Sequence, residues 1–329
     1  KLDTLHSPRT QAAVDFIKAN RDQPFFIYLA HTMPHVPLFA SPEFEETSQR
    51  GPYGDVVEEI DSGVGRILET LAELELDERT LVIFTSDNGP WHLDRGRGGS
   101  AGPLRGYKFQ TYEGGVRVPC IMRWPETISA GTECHEVAAS IDLLPTLAGI
   151  GHGKLPNDHD IDGRDIRSLM ANEPGAKSPH EALFYFTDRG LEAVRSGPWK
   201  LRRAPSTRLE RDSERVFESD RLRRDHSDLL QTLQAAIAGR HLERAEDVIK
   251  RVLDEEKLGW EDRLAMLRLV DLMSHTEEIE LFNLQQDVSE QWNIAEEHPD
   301  IVARLSNVMD EFQRELDANR RPPLRVPTE

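Results

Sequence analysis

The sequence predicts an α/β protein followed by a smaller antiparallel α+β region that carries a helical insertion. Three observations predict it. Helical and strand patterns alternate through the first half with short connections, short strands separated by Gly turns follow after about Asp165, and a helical stretch at about 206–276 interrupts those strands.

The elements follow in chain order. Ser7-Pro8 opens a helix, a hydroxyl cap before a proline at the first position, where no N–H is needed. Ala13, Phe16 and Ile17 form its apolar stripe, and Asn20 with Asp22-Gln23-Pro24 ends it. Phe25–Ala30 has the length of a buried strand and runs into a Pro-bounded loop, His31 to Pro37. Val57, Ile60, Val64, Ile67, Leu68 and Leu71 recur at core-facing helical spacing, which predicts a helix from Asp55 to about Leu74. Leu81–Thr85 is the next strand, and this alternation implies a sheet largely parallel and buried on both sides.

Residues 89–119 are rich in Gly and Arg and read as a long functional loop. Cys120–Trp124 is a further strand, closed by Pro125, and Ala138–Ile150 a helix with an internal Pro145. Leu183–Phe186, Glu192–Arg195 and Trp199–Leu201 suggest an antiparallel meander, joined later by Glu280–Leu284. Within the insertion, Leu229, Leu230, Leu233 and Ile237 and their successors keep helical spacing, most simply as a small core. The last helix begins near His298-Pro299, with Ile301, Leu305, Met309 and Phe312 on one face.

Charge narrows the function. The 329 residues hold 40 Lys and Arg against 59 Asp and Glu, a net charge of −19 that opposes a phosphate backbone, so no nucleic-acid partner is expected. No apolar run approaches the ~20 residues that span a bilayer, so no membrane insertion is expected. Cys120 and Cys134 either form one bridge or stay as thiols. The opening Lys1-Leu2-Asp3 lacks the character of a signal peptide. No Asn-x-Ser/Thr sequon occurs, which favours a periplasmic or secreted setting over a glycosylated lysosomal one. Oligomeric state is left open.

Three places could carry chemistry. Ser86-Asp87-Asn88-Gly89 sits at the carboxyl end of a predicted core strand, the edge where open α/β sheets bind ligands. A carboxylate beside an amide oxygen suits Ca²⁺ or Mg²⁺, although the same string also makes a plain tight turn. His31 and His35 are four apart, but Pro34 and Pro37 forbid the helix that a helical zinc pair needs. On a loop past a strand, a histidine can donate a proton or hydrogen-bond an anion; capping the loop is the alternative. Arg105, Lys108 and Arg117 share a Gly-rich loop, where cations can balance an anionic ligand or simply pair with nearby acids.

In this order the strings resemble the sulfatases, in particular the branch of arylsulfatase A and N-acetylgalactosamine-6-sulfatase. The strings are Pro24 to His31-Thr32-x-Pro34-His35-x-Pro37; Thr85-Ser86-Asp87-Asn88-Gly89; and Gly106-Tyr107-Lys108 leading into Thr111-Tyr112-Glu113-Gly114-Gly115-Val116-Arg117-x-Pro119. Gly51-x-Tyr53-Gly54-Asp55, Asp142 to Thr146, Asp162-Gly163, Arg195 to Leu201 and Glu280 to Leu284 add later landmarks.

The resemblance implies an alkaline-phosphatase-like sandwich that hydrolyses sulfate esters on a sulfated small molecule or glycan. It makes Asp87 and Asn88 ligands of a calcium ion, His35 the group that meets the ester oxygen, and Lys108 a sulfate-binding cation. Arg105, Arg117 and His31 become further substrate contacts. All should converge on one tetrahedral oxyanion. It also implies a formylglycine nucleophile from a Cys/Ser-x-Pro/Ala-x-Arg string, which neither Cys120 nor Cys134 satisfies. Residues 1–165 are therefore expected to be the C-terminal part of the catalytic domain, and 166–329 a C-terminal subdomain with the insertion at about 206–276. The nucleophile and remaining ligands are expected upstream, and the chain alone is not expected to turn over. A phosphodiesterase or phosphonate hydrolase of the same superfamily, or a non-catalytic anion-binding remnant, are the alternatives.

Overall fold

A computed structural model describes residues 7–91, 98–158, 160–187, 190–203, 230–233, 235, 249 and 279–319. Nearly all of the helical insertion expected at about 206–276 lies outside the described residues. The chain divides into two compact units. One comprises Lys1–Gly102 and Gly114–Glu181, the other Pro103–Glu113 and Ala182–Glu329.

In the first unit α1 spans Ser7–Ala19 and α2 Gly51–Glu73. The α2 helix starts about one turn before the expected Asp55, because Pro52 at its head needs no N–H partner. Asp55 is buried there and accepts the backbone N–H groups of Glu46 (3.1 Å) and Ser48 (2.8 Å), so this acid of the Gly51–Asp55 string fixes a loop. Ile17 of α1 and Leu71 of α2 bury together with Leu76 against Phe25, Ile27 and Val82. A second cluster joins Met33 to Val56 and Ile60 of α2, which seats the histidine loop on that helix.

Phe25–Ala30 does not form a strand. Its burial alternates as a strand's would, with Phe26 70% and Tyr28 85% exposed, yet no ladder partner lies beside it among the described residues. Extended pattern comes from local sequence, whereas a strand requires a second chain segment to accept its hydrogen bonds.

The described strands are also not parallel. β1 (Val82–Thr85) pairs antiparallel with β2 (Cys120–Arg123), Val82 opposite Arg123 and Thr85 opposite Cys120. Among its described residues, the connection over 86–119 contains one helical turn, α3 (Glu113–Val116), and no crossover helix. Burial on both sides fails too, since Ile121 is 65% exposed. Cys120 and Cys134 are free thiols.

The expected helix over 138–150 resolves into a 3-10 turn (Ser140–Asp142) and α4 (Leu143–Ile150), with Pro145 inside the first turn of α4. Fully buried Asp142 accepts the N–H groups of Ala139 and Arg164 (both 2.8 Å) and contacts His180 Nε2 at 2.7 Å. A short α5 (Arg167–Met170) closes this unit's last core cluster.

The second unit is the predicted meander. β3 (Leu183–Thr187), β4 (Gly190–Ser196), β5 (Trp199–Arg203) and β6 (Ile279–Asn283) pair antiparallel in that order. Val194, Leu201 and Leu281 share one face and bury Leu305 and Met309 of α6 (Pro299–Asn319). Period-2 alternation sends Lys200, Arg202, Glu280 and Phe282 to the other face, and all four are buried. Glu192 is the unpaired extra residue between the Leu191–Phe186 and Ala193–Tyr185 pairs, and this bulge lets its carboxylate reach Arg202 (3.5 Å).

Candidate functional site

The rim of β1 is held by backbone contacts within the first unit. Thr85 Oγ1 donates to the Pro119 carbonyl (3.0 Å), and Gly89 N–H donates to the Gly115 carbonyl (3.0 Å). Any Cβ at Gly89 would run into the Gly114 carbonyl, so the close approach of these two loops requires glycine. The 85–89 and 114–119 segments are thereby stitched together, with Arg117 between the two stitches.

Asp87 is exposed, and its carboxylate makes no hydrogen bond or ion pair among the described residues. Asn88 is half-buried and turns its Nδ2 back to the Gly89 carbonyl (2.9 Å), which leaves the amide oxygen as the part of the side chain available to a ligand. Two hard oxygens thus stand at the strand edge, of the type a calcium ion takes. They form a partial donor set, and no group of three or more metal-ligating His, Cys, Asp or Glu side chains occurs among the described residues.

The histidine loop reaches the same rim. His35 lies between two cis peptide bonds, Met33–Pro34 and Val36–Pro37, and stacks on Trp91 with ring centroids 6.2 Å apart and planes 16° apart. Trp91 follows directly on Asn88-Gly89-Pro90, so the structure brings His35 to the segment that carries the two oxygens. His35 Nδ1 lies 2.8 Å from the Val36 carbonyl. A carbonyl only accepts, so this hydrogen bond holds the proton on Nδ1 and leaves Nε2 outward. His31 is half-buried at the start of the loop and has partners within the fold.

Arg117 is exposed and makes no ion pair among the described residues. Arg105 and Lys108 belong to the second unit and differ sharply from each other. Arg105, expected as a substrate contact, is half-buried and engaged by the protein: Nη1 donates to the Glu290 carbonyl (2.8 Å), lies 3.5 Å from Glu280 Oε1, and Cζ sits 4.0 Å over the Tyr112 ring. Lys108 has no carboxylate partner among the described residues; its Nζ lies 5.4 Å over the Phe109 ring. It occupies the first central position of a turn in which Tyr107 O accepts Gln110 N–H (3.0 Å) and Phe109 takes φ 81°, the pattern of a type II turn.

Beneath this turn lies a group of residues that sequence patterning leaves without a role. Tyr112 is fully buried, donates Oη to both oxygens of Glu280 (2.9 and 3.1 Å), and has Arg202 Cζ 3.6 Å over its ring. Burial pushes its hydroxyl pKa far above the ordinary tyrosine range, so Tyr112 stays a hydrogen-bond donor. Arg202 also pairs with Glu280 and donates Nε to Thr111 Oγ1 (3.0 Å). Glu113 accepts from Lys200 (2.9 Å) and Arg195 (3.1 Å), while Glu290 accepts the Glu113 N–H (2.6 Å) and pairs with Lys200 (3.0 Å). The one signal of this network in the sequence is charged residues inside strands whose alternate positions are apolar.

Residues 8–153 match the family model described as Sulfatase. Human (Homo sapiens) arylsulfatase A is 45% identical over 185 residues, 55% of this chain and 36% of that protein. N-acetylgalactosamine-6-sulfatase of Canis lupus familiaris is 42% identical over 193 residues, 58% of this chain and 36% of that protein. The chain thus spans about a third of the length of the curated relatives it matches. A crystal structure of a Pseudoalteromonas sulfatase superposes with TM-score 0.71 at 21% identity, covering 98% of this chain and 55% of that chain. Over the part it covers, the chain shares the α/β fold of that sulfatase.

Proposed function

We propose, on the premise that residues 8–153 are a sulfatase-family segment, that this chain serves in the hydrolysis of a sulfate ester. The observation that carries the proposal is the stitched 85–89 loop, which presents an uncommitted Asp87 carboxylate and the Asn88 amide oxygen with His35 stacked beside it on Trp91. Asp87 and Asn88 are the residues that would hold a calcium ion, and such an ion would draw charge from a sulfate oxygen. Two oxygens are fewer than the six to eight that calcium takes, so the proposal draws the other donors and the formylglycine nucleophile from outside these 329 residues.

His35 would meet the ester oxygen through Nε2. As an imidazolium it donates a proton there while Nδ1–H stays on the Val36 carbonyl, easing departure of the alcohol. Lys108 would supply a positive charge to a sulfate oxygen, with Arg117 as a second, exposed cation. The likeness to N-acetylgalactosamine-6-sulfatase favours a sugar sulfate as substrate, and the lack of Asn-x-Ser/Thr sequons favours action in the periplasm or outside the cell. The test is an assay of the full-length protein on matched aryl sulfate and aryl phosphodiester substrates. Preference for the sulfate is expected; preference for the phosphodiester would replace this function with that of a phosphodiesterase.

A further inference from the structure

Lys108 sits at the corner of a turn whose two ends are both anchored in buried charge. Arg105, before the turn, holds the Glu290 carbonyl and the Tyr112 ring. Thr111, Tyr112 and Glu113, after it, hold Arg202, Glu280 and Lys200 of the sheet. Gly106 takes φ 87°, and a Cβ there would lie 2.8 Å from Tyr112 Cβ, so the backbone entering the turn rests directly on the tyrosine. Phe109 is held in the left-handed region, a conformation that persists only where its surroundings over-determine it.

The network balances four cations (Arg105, Arg195, Lys200, Arg202) with four carboxylates (Glu113, Glu192, Glu280, Glu290). Buried ion clusters are a weak source of stability, because desolvation offsets their attraction; what they supply dependably is directed geometry. Lys108 differs from these four cations. In a chain with a surplus of acids, it alone of the cations on the 105–113 segment has no carboxylate among the described residues.

We propose that Tyr112, gripped by Arg105, Arg202 and Glu280, is a positioning residue that holds the Lys108 turn ready for the sulfate group. The inference rests on the reading of Lys108 as the sulfate-binding cation. Tyr112 touches no substrate; it acts through the backbone of residues 106–111. The sheet of the second unit thereby contributes to catalysis without lending a reacting group.

A double-mutant cycle in the full-length protein tests this, with kcat and KM measured on an aryl sulfate. Tyr112→Phe removes only the hydroxyl and is expected to lower kcat/KM about tenfold. Lys108→Ala is expected to cost more, and the double variant no more than Lys108→Ala alone. Additive losses, or wild-type kinetics in Tyr112→Phe, would overturn the positioning role while the reading of Lys108 stands. Wild-type turnover in Lys108→Ala would instead remove that reading and this inference with it. Arg202→Lys keeps the charge but not the planar fork over the ring, and it is expected to give the same non-additive pattern should Tyr112→Phe fold poorly.

Discussion

His35 offers a single nitrogen to a substrate, because the 2.8 Å contact of Nδ1 with the Val36 carbonyl occupies the other. A proton donated from Nε2 matters most when the departing alcohol is a poor leaving group, since a good one leaves without help. His35→Ala in the full-length protein is therefore expected to slow sulfates of poor leaving alcohols by about 10²–10⁴-fold while sparing activated aryl sulfates. Rate measurements across a series of leaving groups check this; an equal loss across the series would exclude His35 as the proton donor. Arg105 shows the opposite behaviour of a cation, with its guanidinium committed to Glu290, Glu280 and Tyr112. Residue type alone does not separate these cases. The distinction between Arg105 and Lys108 is one of neighbours.

Among the elements, the 85–89 loop depends on Gly89, whose missing Cβ admits the Gly114 carbonyl. Gly89→Ala must push the two segments apart, and overpacking of this kind costs about 1–3 kcal/mol. A lower thermal midpoint together with reduced turnover is expected; an unchanged midpoint would show that the loops separate without strain. The sequence made α2 and α6 legible because helical periodicity is local, and the meander legible because its strands alternate and its turns carry glycine. Phe25–Ala30 was legible as extended chain but not as unpaired, since pairing depends on a segment elsewhere. The antiparallel sense of β1 and β2 was hidden for the same reason: it depends on a partner strand far along the chain, which no local periodicity records. Asp87 and Asn88 stood out by their place after a strand. Trp91 and Tyr112 did not, because an aromatic residue in a loop shows nothing of the histidine or guanidinium it will meet.

For the molecule as a whole, the net charge of −19 resides outside the buried network, where four cations meet four carboxylates. Within it, burial raises the pKa of Glu290 above the ordinary 4.5, against the lowering effects of Lys200 and the Glu113 N–H. The folded chain therefore keeps the Glu290 proton over a pH range in which the unfolded chain has lost it. The stability this proton contributes is fully present below about pH 4.5 and is lost as pH rises through the raised folded value. Other carboxylates and the relief of surface repulsion also shape the acid profile, so the comparison needs a variant that changes Glu290 alone. Glu290→Gln keeps an oxygen for the Glu113 N–H and cannot ionise. Chemical denaturation of wild type and Glu290→Gln across this interval is expected to show wild type losing stability relative to the variant as pH increases. Parallel curves would mean that Lys200, 3.0 Å away, already holds Glu290 ionised in the folded state.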